Sequence, residues 1–478
     1  MNLLQQLRDG NPLNLKQQMQ LIWQLSIPGI LAQVSTIVME YIDASMVGHL
    51  GAKEAASVGL VASSTWLLGC LCYAASMGFT VQIAHAIGAK RDIRARNLVK
   101  VGLLFGILFS SLIMSFGLFM HNKIPILLGA DPSIHKDASI YFFIIALSLP
   151  AMQLNGMAAG MLQCSGNMKV PSVLQVLSCF LDIFFNFFLI FETRTVNILG
   201  ISITFPGAGL GVMGAALGTA VVEVIIMSLM LYFLLFRSQS LSLRHREKMH
   251  FSIKQLKEAF RISWPVGLEQ LVMCSAYVMF TAIVSPLGMA AIAANSFAIT
   301  IESLCYMPGY GIGSAATTLI GQSIGARRKD LTQKLAHLTT AVGMAIMTFT
   351  AILMYIFAPQ LIGFFTLDPE IRRLGTLILR IEAFAEPFYA ASIVANGVFR
   401  GAGSTFVPSI MNLISMWVVR LPLAFLLAKE YGLKGAWIAM CVELIFRGSI
   451  YLVRLFGKGW FPKNFLTLNE GHLPQEKA

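Results

Sequence analysis

Asp43 and Glu40 are the residues whose type and setting most invite chemistry. Both lie in SIPGILAQVSTIVMEYIDASMVGHLGA, residues 26–52, an apolar stretch long enough to cross a bilayer. A charge at the bilayer centre is disfavoured by about 2.5 to 3.5 kcal/mol. An ionisable residue inside a span therefore marks an ion or substrate path, unless it sits near a helix end and reaches interfacial water. In a later apolar segment Asp182 and Asn186 stand four apart and share a helical face, as Glu40 and Asp43 do at a spacing of three. Counting 1.5 Å per residue puts Asp43 about 10 Å below one end of its segment. The same count puts Asp182 and Asn186 about 16 and about 22 Å in from the opposite side, depths at which all can meet. Carboxylates with a carboxamide form a hard-oxygen set suited to a proton or a sodium ion. Asp43, Asp182, Asn186 and Glu40 are the candidate cation site, and no metal is expected beyond sodium at Asp43 and Asp182.

The second half of the chain has its own set. Glu302 and Glu386 fall near mid-depth of their segments, Glu382 precedes Glu386 by four, and Asn295 lies two turns before Glu302. These are candidates for substrate contact or a second ion site. The alternative reading pairs one of these acids with Arg420 as counter-ion, which would make the set structural. Glu269 lies near a helix end, where solvation by water is the expected state. The eight histidines form no catalytic cluster, and His85 reads as a helix-end hydrogen bonder. The seven cysteines lack metal or disulfide spacing and read as small apolar fillers.

The elements that must position these groups follow from composition. The 478 residues are 56% hydrophobic and only 12% charged, with mean hydropathy +0.72, far from soluble usage. Twelve apolar segments approach or exceed the roughly 20 residues of a spanning helix: 20–47, 56–81, 98–120, 138–163, 171–191, 208–236, 260–284, 291–319, 335–358, 374–399, 408–428 and 433–456. The first 20 residues lack a short apolar core with a small-residue cleavage site, so the first helix is expected to stay. The formal charge of +12 could suggest nucleic acid. Its cations, however, cluster at 90–100, 244–261, 326–330, Arg400 and 454–463, all after even-numbered spans. That distribution excludes nucleic acid as the reading. It makes this face cytoplasmic, with both termini inside and membrane lipid as a partner.

A displacement of 237 residues superposes the sequence on itself. It pairs Pro28 with Pro265, Ile87-Gly88-Ala89 with Ile324-Gly325-Ala326, Asp131-Pro132 with Asp368-Pro369, and Pro171-Ser172 with Pro408-Ser409. Beyond this the register breaks, and Gly214-Ala215 answers Gly435-Ala436 at a displacement of 221, most simply because residues near 192–209 form an extra segment outside the membrane. An even number of spans in each half makes the halves parallel repeats around a central cavity. The expected fold is an all-α membrane protein of twelve helices: one lobe at 1–236, a basic linker at 237–254 and a second lobe at 255–478.

These features, with VGHLGA after the first acid, GFTVQIAHAIGAKRD, its echo MPGYGIGSAATTLIGQSIGARRKD, and RGAGSTFVP, together resemble the multidrug and toxic compound extrusion family. The resemblance covers nearly the whole chain. It implies an antiporter that expels organic, often cationic and aromatic, compounds against entry of protons or sodium, with no cofactor. Asp43 matches the span 1 aspartate of the family's first-lobe cation site, whereas Glu40 has no counterpart and becomes an auxiliary. The branch with DNA-damage-inducible and archaeal members carries Asn-x-x-x-Asp in span 5; here the order is Asp182-x-x-x-Asn186. The other branch uses a glutamate in span 7 and an aspartate in span 10, places that hold Met273 and Tyr389 here, so Tyr389 joins the second-half candidates. Shifted by 237, Glu40 and Asp43 fall on Tyr277 and Phe280, which assigns the coupling ion to the first lobe.

The expected protein is a monomeric efflux transporter of the cell inner membrane that carries small organic molecules and is not an enzyme. A lipid or lipid-linked oligosaccharide flippase of the same superfamily architecture is the alternative, and would be expected to need a cationic cavity for pyrophosphate. A membrane-embedded enzyme would need a clustered His, Ser or metal motif.

Overall fold

The computed structural model describes residues 3–198, 201–244, 247–457 and 459–462. A short helix α1 (Leu3–Arg8) precedes α2 (Leu15–Gly48), α3 (Ala52–Gly88), α4 (Asp92–Met120), the one-turn α5 (Lys123–Leu127), α6 (Pro132–Cys164) and α7 (Lys169–Ile190). An antiparallel hairpin of β1 (Glu192–Ile198) and β2 (Ile201–Ala208) leads into α8 (Gly211–Tyr232), and accounts for the extra segment in the first half. The chain continues through α9 (Ile253–Val284), α10 (Met289–Gly325), α11 (Lys329–Gly363), α12 (Pro369–Glu382), α13 (Glu386–Gly401), α14 (Phe406–Ile414) and α15 (Leu421–Phe456). Among the described residues, ten helical stretches are long and apolar enough to cross a membrane. The chain is thus a helical membrane protein, with one hairpin among the described residues.

The helix starts follow from local chemistry. Asn14 and Gln17 cap α2 reciprocally through side chain and backbone. Asp131 and Asp368, 237 apart, each accept backbone N–H groups at the head of a helix that opens on proline.

Three expected spans differ in form. The segment read as 374–399 stops at Glu382 and restarts at Glu386. Pro387 has no N–H to offer the Ala383 carbonyl, although the matching Pro150 sits inside the unbroken α6. The segments read as 408–428 and 433–456 run as one stretch, Phe406–Phe456, through a π-helical segment, Ser415–Arg420, and a non-helical Gly432 at φ 59°, ψ −141°.

The 237-residue displacement is also written in the backbone. Lys90 and Arg327 are the two non-glycine residues with positive φ among the described residues, at 58° and 57°. Gly166 and Gly403 form a second such pair. Beyond the register break, Gly211 and Gly432 are separated by 221 and have φ 56° and 59°. The kink at Gly432 therefore occupies the place where the first half turns from its hairpin into α8.

On the basic face the ends of α3 and α10 touch backbone to backbone. A Cβ on Gly88 would lie 2.1 Å from the Gln322 carbonyl oxygen, and one on Gly325 would lie 2.2 Å from that of His85. His85 Nε2 donates to Gly401 O at 2.8 Å, and Gln322 Nε2 donates to Cys164 O at 2.7 Å, so donors and acceptors are both related by the repeat. The expectation for His85 as a hydrogen bonder near a helix end holds. Arg8 of α1 adds a strap, donating to Gln322 Oε1 at 3.1 Å and to Ser165 O at 2.9 Å. The segment before α9 is pinned to α4 by Arg96–Glu247 at 2.6 Å and by Asn97 Nδ2 to His250 O at 2.8 Å.

Candidate functional site

The first cluster joins α2 to α7. Asn186 Nδ2 donates to Asp43 Oδ1 at 3.0 Å and to Asp182 Oδ2 at 2.8 Å, so the residues placed at matching depth by helical rise do meet. Asp182 and Asn186 are each 1% exposed, while Asp43 is half-buried. The contact depends on Gly218 of α8, where a Cβ would stand 2.0 Å from Asn186 Oδ1. Thr219 and Tyr141 complete the surroundings, Thr219 beside Asp182 and Tyr141 facing both acids.

Asp182 Oδ1 and Asn186 Oδ1 are buried without a hydrogen-bond partner. Together with Asp43 they present oxygen acceptors that a proton or a small cation would satisfy. Glu40 is exposed and makes no hydrogen bond to the described residues, so it does not join the cluster. Beside the cluster on α2 and α7 lies a cavity of about 420 Å³ lined by Tyr41, Ile42, Ser45, Met46, His49, Phe187 and Phe191. Tyr41 also ties α2 to α10, donating to Thr300 O at 2.8 Å. Lower on the same helices, Ser172 Oγ of α7 donates to the Pro28 carbonyl of α2 at 2.5 Å.

A neighbouring pair escaped the sequence reading. Asn155 Nδ2 donates to Glu223 Oε2 at 2.9 Å, one turn beyond Thr219 along α8. The signal was present as a lone carboxylate in the apolar run GVMGAALGTAVVEVII.

The second-half candidates divide. Asn295 accepts from Trp437 Nε1 at 2.9 Å, and the Tyr389 ring carries Arg447 at 5.4 Å, so both are engaged within the helix packing. Glu302 is 6% exposed, and Glu382 and Glu386 are fully buried. Arg420 is not their counter-ion. It pairs with Glu443 at 2.8 Å, and Arg447 binds the same carboxylate at 2.9 Å, with Ser415 Oγ donating to Glu443 as well. Glu443 and Arg447 belong to α15, one turn apart, which satisfies Arg420 locally.

Glu269 is likewise corrected. It is 6% exposed rather than open to water, and accepts from Asn412 Nδ2 at 2.5 Å, Ser409 Oγ at 3.1 Å, Asn396 Nδ2 at 3.2 Å and Arg400 at 3.5 Å. The helices that surround it carry enough donors to replace water.

The MatE family model matches residues 28–188 and 265–426, one match in each half of the chain. A probable multidrug resistance protein NorM of Thermotoga maritima is 28% identical over 446 residues, covering 93% of each chain. Another of Bacillus thuringiensis subsp. konkukian is 25% identical over 442 residues, covering 90% of this chain and 94% of its own. Among solved structures, an outward-facing multidrug resistance MATE family transporter of the MOP superfamily aligns with TM-score 0.84 and 21% identity, covering 95% of this chain and 98% of its own. A MOP superfamily transporter from Pyrococcus furiosus aligns with the same TM-score at 20% identity, covering 95% of this chain and 97% of its own. With a family model matched in both halves and relatives aligned almost end to end, the chain belongs to the MatE family of membrane transporters.

Proposed function

We propose that the chain is a secondary active efflux antiporter. It exports small organic, often cationic and aromatic, drugs or toxic metabolites in exchange for protons or sodium ions. The observation that carries the coupling site is the Asp43–Asn186–Asp182 cluster: one carboxamide N–H group holds two carboxyls from different helices, beside a cavity. The relatives named as multidrug resistance proteins support the substrate class.

In this reading α12 and α13 are one broken crossing and Phe406–Phe456 two crossings about Gly432, which makes twelve with the other nine stretches. They form two lobes, 1–236 and 255–478, joined by 237–254. Positive φ recurring at Lys90 and Arg327, and cross-bonds recurring at His85 and Gln322, support the duplication. The basic face is cytoplasmic, with both termini inside, anionic lipid against the cations, and the monomer as the working unit.

The cycle uses groups already in contact. An ion arriving from outside at Asp43 competes with Asn186 Nδ2 for the carboxylate and loosens α2 from α7. The Ser172 bond to Pro28 O leaves a bend point below it. Drug is released outward, and the basic-face contacts of α3 and α10 then part to let the ion leave inside. Each charge crossing about 150 mV supplies roughly 3.5 kcal/mol, enough for a gradient of a few hundredfold.

The flippase alternative is disfavoured because Arg420 and Arg447 are bound to Glu443 and Arg400 to Glu269, which leaves those arginines committed. Ethidium or norfloxacin efflux in cells lacking their own pumps, with Asp43→Asn as the variant, tests the assignment. Loss of efflux is expected, and full transport by the variant overturns the role of Asp43. Uptake into vesicles under separately imposed sodium and pH gradients distinguishes the ion.

A further inference from the structure

Glu382 ends α12 and Glu386 begins α13, with the helix break at 383–385 between them. Both side chains are 0% exposed, and their four carboxyl oxygens meet no N–H or O–H donor, the weakly donating Cys305 thiol being the group beside Glu386. A buried ionised carboxylate with neither donor nor counter-ion is the least tolerable of buried groups, and neutralisation is the usual escape. The groups facing the pair are Glu302 and Cys305 from α10, Arg420 from the π-helical segment, and Glu443 with Cys441 from α15.

The neighbouring cations are committed elsewhere. Arg420 and Arg447 both bind Glu443, and neither makes an ion pair with Glu302, Glu382 or Glu386. Arg400 is committed to Glu269. No buried cation remains for Glu382 or Glu386 among the described residues. Pro387 also leaves the Ala383 carbonyl without its helical donor, and unwound carbonyls at a broken helix are a recurrent setting for ions in transporters.

We propose that Glu382 and Glu386 form a second proton-binding site, each holding a proton on its carboxyl oxygen in this conformation and giving it up when the break at 383–385 opens to water. The site is distinct from the acid pair of the other branch, whose places hold Met273 and Tyr389 here, and it does not depend on Asp43 being the coupling residue. Its consequence is that more than one proton is exchanged per conformational cycle.

The test uses the purified full chain in liposomes, with Glu382→Gln, Glu386→Gln and the double variant, and Asp43→Asn alongside. Infrared difference spectra between acid and alkaline buffer are expected to lose intensity in the carbonyl band of protonated carboxylic acids in each glutamine variant. Protons released after an alkaline jump are expected to fall by one for each carboxyl removed, with Asp43→Asn removing a separate share. Glutamine mimics the neutral acid, so the thermal midpoints of the variants should match the parent. An unchanged band and proton count in the double variant would overturn the site. So would sodium pulses at fixed pH that displace these protons, or single glutamine variants that fail to fold, since the native acids would then be cation-bound or charged.

Discussion

Replacing Gly325 by alanine puts a methyl group 2.2 Å from the His85 carbonyl oxygen and 2.9 Å from Gly88 Cα. Both obstacles are backbone, so neither can swing aside. Ordinary contact begins near 3.4 Å, and α3 and α10 must part by the difference between 2.2 and 3.4 Å. That movement carries the 2.8 Å bond from His85 to Gly401 O and the 2.7 Å bond from Gln322 to Cys164 O out of useful range. At about 1 kcal/mol net for each bond, the closed basic face loses about 2 kcal/mol, roughly a 30-fold shift of the open-to-closed ratio. Cys164 reports on this directly because it is 4% exposed and supplies one of the two carbonyls. In a variant whose other cysteines are alanine, the rate of maleimide labelling of Cys164 from the basic face should rise about 30-fold with Gly325→Ala. Gly59→Ala, at a helical glycine with nothing within 4 Å, should leave the rate unchanged. Parent-like labelling in a folded Gly325→Ala protein would refute the claim that this contact holds the face closed.

Other perturbations probe the polar clusters. Gly218→Ala displaces the Asn186 amide without touching a carboxylate, and the loss of its bonds to Asp43 and Asp182 should reduce transport about tenfold or more in the efflux assay while the protein stays folded. Glu443→Gln strands Arg420 and Arg447 without their shared anion and should lower stability by about 3 to 5 kcal/mol in thermal unfolding. Asp131 is held below the usual carboxylate range by the Ser133 hydroxyl and then the Ser133 N–H. Its capping is therefore complete above the unfolded pKa and lost as pH falls through the lower folded one, and Asp131→Ala should remove that acid-side dependence from the melting curve.

Helical rise was enough to bring Asp43, Asp182 and Asn186 together, because depth along an axis is read from residue number alone. The partner of Arg420 was not legible in that way. Its charge made Glu302 and Glu386 natural partners, but it lies in the π-helical segment at Ser415–Arg420 and pairs with Glu443. Glu269 was misjudged for a related reason: its four donors come from α13 and α14, and packing between helices distant in sequence leaves no local signature. The duplication was legible over long stretches because its turns demand particular backbone angles, whereas the break after Glu382 was not. Pro150 and Pro387 are the same residue at matched positions, and only the surroundings decide which helix stays whole.

The turns at Lys90 and Arg327 separate two kinds of stability. A non-glycine residue at positive φ costs about 1 to 3 kcal/mol, and glycine would remove that cost. A cation beside an anionic leaflet returns about 1 kcal/mol, but only when the leaflet is there. Glycine at either position should thus stabilise the protein more in detergent micelles than in anionic bilayers, by about 1 kcal/mol. Selection for thermostable variants in micelles would therefore discard two of the cations that cluster on the basic face.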